Sequence, residues 1–154
     1  MSVLEDPVAY RKMRLGPNLV TKSTGTLAAT TINLFTVAGG EVLLTSLYGK
    51  VTTAITVANS YKLSFAPTAG LTADLCQALD IGTTDTAAGT ILGFNYDQDG
   101  TTNTPILALT AGKILSDIVL TTGSLTHTSA GTDGVISWYA TWVPMTVGAT
   151  LVAA

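Results

Sequence analysis

The stretch that most restricts the fold runs from Val135 to Val143, where Val135, Ser137, Tyr139, Thr141 and Val143 alternate with Ile136, Trp138, Ala140 and Trp142. A period of two turns successive side chains to opposite faces of an extended strand, so one row meets a core and the other faces away. The 21 residues from Gly134 to Ala154 carry no charge, about the length of a bilayer span. The alternation, with Pro144 and Gly148 interrupting the remaining residues, reads as a strand instead, and no membrane partner is expected.

The rest of the chain has the same texture. Thr30 to Val37 alternates through Ile32 and Leu34, Gly39-Gly40 turns, and Glu41 to Val51 runs through Val42, Leu44 and Leu47. Thr53 to Val57 and Tyr61 to Ala66 read as a hairpin across Ala58-Asn59-Ser60. Further strands are expected from Leu71, over Thr90 to Tyr96 and over Ile114 to Thr122. A last hairpin is expected to join Ser124–Thr128 with Val135–Val143. No stripe of helical spacing covers ten residues anywhere. Eight or nine strands separated by Gly, Asn, Asp and Ser turns predict an all-β protein, an antiparallel β-sandwich or jelly roll with an extended N-terminal arm.

Composition agrees. Threonine supplies 28 of the 154 residues, while charged residues make up only 11%. A β-branched side chain with a hydroxyl covers the solvated face of a strand without charge. A solvated monomer usually shows a surface about a quarter to a third charged, so this poverty of charge implies surface covered by copies of the chain or by a partner. The length favours one domain.

Charge is also unevenly placed. Residues 1–22 hold Arg11, Lys12, Arg14 and Lys22 against Glu5 and Asp6, a balance of +2, whereas residues 23–154 hold three lysines against eight acids, a balance of −5. The first segment reads as an arm, 1–22, leading into a β-sandwich domain, 23–154. Val8, Tyr10, Met13 and Leu15 supply apolar groups that bury on a partner, and Arg11, Lys12 and Arg14 attract an acidic one. The acidic body offers no footprint for nucleic acid, which needs clustered Lys and Arg. No secretory signal is visible, so assembly in a cytoplasm is expected.

Groupings that carry chemistry are hard to find. Cys76 stands alone in the chain and reads as a small packed residue. His127, the sole histidine, has polar neighbours and reads as a surface residue of a strand, with no nucleophile elbow for it to serve. Asp97-Gln98-Asp99-Gly100 begins like a calcium loop, but position twelve is Ala108 where a bidentate acid should close it, so an ordinary turn is expected. The expectation is no enzyme, no metal and no cofactor. Period two puts Trp138 and Trp142 on one face, as core or subunit-interface aromatics; a sugar-stacking platform is the alternative.

Three segments, Val20–Leu27, Phe35–Thr53 and Gly134–Pro144, resemble small virion proteins of tailed bacteriophages, and among these the capsid decoration, or cement, class. The resemblance implies a β-rich oligomer bound outside the capsid at junctions between capsomers, with the major capsid protein as partner. It would be assembled in the host cytoplasm and then sit on the capsid exterior. A homotrimer is expected on symmetry grounds, with a dimer as alternative. A tail fibre or receptor-binding component, or a carbohydrate-binding β-sandwich module, is the competing expectation.

Overall fold

A computed structural model describes Ala9 and residues 18–94, 106–109 and 118–154. Twelve strands are formed among these residues: β1 (Asn18–Thr26), β2 (Thr31–Ala38), β3 (Val42–Thr53), β4 (Ser60–Pro67), β5 (Ala73–Asp74), β6 (Leu79–Asp80), β7 (Ile91–Phe94), β8 (Ile106–Leu109), β9 (Ile118–Leu120), β10 (Gly123–Ser129), β11 (Val135–Pro144) and β12 (Thr150–Ala153). Between residues 18 and 154 no described residue is helical. The first sheet runs β1-β11-β3, with β9 and the β7-β8 pair side by side along the far edge of β3. The second runs β12-β2-β10-β4, with β5 and β6 along the far edge of β4. Every pairing is antiparallel.

The order of pairing names the architecture. β1 pairs β11, β2 pairs β10, β3 pairs β9 and β4 pairs β6, so the early half of the chain lies antiparallel to the late half as one long double ribbon. Winding that ribbon on itself sets β11 against β3 and β10 against β4. This is the strand order of a jelly roll, in which successive strands cross from sheet to sheet. β12 is an addition beyond β2, and the alternation of the sequence did not mark it.

Both expected hairpins are corrected by this winding. β10 and β11 lie in different sheets, as do β3 and β4. Side chains in the links steer each crossing. Asn59 is fully buried, and its Oδ1 accepts from Ser129 Oγ, Ala130 N and Gly131 N, each at 3.0 Å. Asp133 accepts from Thr56 N at 2.7 Å and from Val57 N at 3.3 Å. Ile55 exchanges two backbone hydrogen bonds with Thr86 at 3.0 and 2.9 Å. The segment expected as a third strand, Thr53 to Val57, is thereby spent, beyond the last residue of β3, on a loop that carries the chain across the sandwich.

The arm boundary shifts as well. β1 begins at Asn18, and Lys22 is paired with Trp138 inside the sheet, so residues 18–22 belong to the sandwich. Charge alone draws the boundary too late, because Leu19-Val20-Thr21 already alternates as a strand after the Gly16-Pro17 breaker.

The core lies between the sheets. Leu44, Leu47, Val51, Ile136, Trp138 and Ala140 meet Leu34, Phe35, Leu63 and Leu125, all fully buried. Each such leucine or valine is worth roughly 1.5–3 kcal/mol of burial.

Candidate functional site

Of the expected site residues, Val8, Tyr10, Arg11, Lys12, Met13, Arg14 and Leu15 lie outside the described residues, as does the string Asp97 to Gly100. Trp138 and Trp142 lie on the inward face of β11, as period two requires. Trp138 is fully buried and Trp142 is 8% exposed. Trp138 Nε1 donates to the Tyr61 hydroxyl at 3.0 Å, and the two rings stack with centroids 6.3 Å apart. A ring sealed between two sheets has no face open to a sugar.

His127 is not a surface residue. β10 is a central strand flanked by β2 and β4, and its inward row is Leu125, His127 and Ser129. The histidine is fully buried and stacks on Tyr61 with centroids 5.3 Å apart. Neither ring nitrogen has a hydrogen-bond partner among the described residues. Burial disfavours its cation and pulls its pKa down to about 4. The same burial pushes the Tyr61 phenol up. Cys76, also buried, accepts from Leu63 N at 3.2 Å. These polar groups sit together in the interior, where no substrate reaches them.

The loop from Leu79 to Thr90 borders an open cleft of about 650 Å³. One of its two acids is already committed: Asp80 Oδ1 accepts from Asn59 N, Gly82 N and Thr83 N, and Oδ2 accepts from Thr83 Oγ1. Those four bonds hold its carboxyl well below the usual carboxylate range, the Thr83 hydroxyl contributing most. The carboxylate braces a loop. Among the described residues no group of three or more His, Cys, Asp or Glu is placed to hold a metal, and no helix is long and apolar enough to cross a membrane.

The outward face of the first sheet is different in kind. Ser137, Tyr139, Thr141 and Val143 point out from β11, opposite Lys50, Tyr48, Ser46 and Leu43 of β3. Leu19 and Thr21 of β1 extend this surface on one side, and Val119 of β9 on the other. Tyr48 and Tyr139 form a cross-strand pair, stacked at 5.0 Å with 10° between the rings. Beside them the hydroxyls of Thr45, Thr141 and Ser46 bond to one another at 2.8 and 2.6 Å. A bulge between Thr141 and Trp142 sets Thr45 and Ser46 together on this face. Lys50 is its only charge among the described residues. The second sheet's outward face carries a threonine row too, but also the Lys62–Asp74 ion pair at 2.9 Å.

Sequence reasoning found the tryptophan row but passed over the tyrosine pair, because Tyr48 and Tyr139 are 91 positions apart and only the register joins them. Compared with known proteins, the chain matches no family model, no curated protein and no solved structure.

Proposed function

We propose that the chain is a structural virion protein of a tailed bacteriophage. In this reading it decorates the capsid exterior as a homo-oligomer and stabilises the shell by bridging subunits of the major capsid protein. It performs no reaction. The observation that carries the reading is the first sheet's outward face: half-buried aromatics and aliphatics, bonded hydroxyls and, among the described residues, a single charge. A half-buried surface of that composition suits burial against other protein, and repetition over many copies multiplies a modest contact into shell stability. Residues 1–17 precede β1 in the chain. In this reading Arg11, Lys12 and Arg14 are drawn to an acidic shell while Val8, Tyr10, Met13 and Leu15 bury on it. The buried Trp138 and Trp142 count against a carbohydrate module.

Electron microscopy of the producing phage tests this. Many copies on the head are expected, and a few copies confined to the tail tip would replace the reading with a tail fibre or receptor-binding component. Deleting residues 2–17 should leave the fold intact and weaken attachment to shells sharply. A truncation that continues to Lys22 removes half of β1 and tests stability instead.

A further inference from the structure

We propose that the outward face of the first sheet is a self-association surface, on which a second copy of the chain seats face to face about a two-fold axis running along the strands. The inference builds on the reading above by naming the contact between copies, and its test needs no virion.

Charge selects the occupant. The described acids, Glu41, Asp74, Asp80, Asp85 and Asp133, all lie off this face, on turns, loops or the second sheet. Two copies approaching by the surfaces that carry these acids bring like charges together. The described residues of the first sheet's face bring no acid into such a contact.

Size fits as well. Twelve residues of β3 at ~3.3 Å each, across four strand positions at ~4.8 Å, give a footprint of roughly 750 Å². That is close to the ~800 Å² per partner of a standard stable interface. Tyrosines are enriched at the cores of such interfaces, and here the stacked pair is central while aliphatics stand at the margins.

The register makes the face complementary to itself. A two-fold axis lying between β11 and β3 sets each residue of one strand over the cross-strand partner of its own image. Tyr48 of one copy meets Tyr139 of the other, and Leu43 meets Val143. Lys50 falls over Ser137 and not over another Lys50. Leu19 at one margin comes near Val119 at the other, and both are about half exposed, at 55% and 50%. Two twisted sheets stack this way at about 10 Å with strands within roughly 30°.

The experiment is sedimentation velocity on the full chain over a concentration series, with variants Leu19→Glu, Val119→Glu and, as a control on the second sheet's outward face, Val152→Glu, which is 49% exposed. All three positions are half exposed, so folding is checked by far-ultraviolet circular dichroism and any variant that fails it is replaced by the other margin residue. The wild type should dimerise, Leu19→Glu and Val119→Glu should each weaken dimerisation tenfold or more, and Val152→Glu should match the wild type. A wild type that stays monomeric, a dimer indifferent to both margin variants, or one weakened equally by Val152→Glu overturns the proposal. Copy number on the head decides the virion reading separately.

Discussion

A neutral imidazole in the core is a pH liability that the rest of the interior does not share. His127 titrates near pH 6.5 when unfolded and at about 4 when folded, so the unfolded chain takes the proton first. Stability is therefore complete above pH ~6.5 and is withdrawn as pH falls towards 4, by up to about 3 kcal/mol. The aspartates act lower. Asp74, Asp80 and Asp133 are all held below the usual carboxylate range, Asp74 chiefly by the Ser64 hydroxyl and Asp133 chiefly by Thr56 N, so their contribution is present above about pH 4 and is lost below it. Urea unfolding at pH 7 and pH 4.5 should show a steep loss for the wild type. His127→Leu, close in volume and without unpartnered nitrogens, should flatten that slope and raise stability at both pH values. An unchanged slope would assign the acid sensitivity elsewhere. The sequence hid this residue because Thr126 and Thr128 beside it face outward, and their polarity passed for its own.

At the scale of elements, the links decide more than the strands. Asn59 ties the entry of β4 to the β10–β11 crossing through three hydrogen bonds. Gly82 passes so close to the chain before it that a Cβ there would stand 1.8 Å from the Val57 carbonyl oxygen. Asn59→Ala strips Gly131 N–H of its partner in a buried site, and an orphaned donor there costs about 1–3 kcal/mol before packing losses. Its melting temperature should fall by roughly 2–12 °C, read by differential scanning calorimetry. A drop of under a degree would mean the crossing holds itself. Alternation made β2, β3, β4, β10 and β11 legible, since each buries one row. β1 was masked by the basic residues around it, and β12 is four residues long with only Leu151 buried. Which strand neighbours which was illegible, because the choice rests on Asn59, Asp80 and Asp133 reaching residues that composition treats as ordinary turn formers.

For the whole molecule, pairing the early half of the chain with the late half fixes the order in which it can be made. Among the described residues β1 has its ladder only with β11, and β2 lies between β10 and β12. A ribosome delivers residues from one end, so the first two strands emerge long before their neighbours exist. Loop closure over such separations is slow, which predicts refolding in the millisecond-to-second range of β topologies. A chain ending at Asp133, without β11 and β12, should show no cooperative unfolding by circular dichroism, although it keeps ten of the twelve strands. During synthesis, then, the nascent chain waits with Leu34, Phe35 and Leu44 incompletely covered until β11 and β12 arrive. A cell making it in quantity would need holding chaperones at the exit tunnel, and overproduction at lower temperature should raise the soluble fraction.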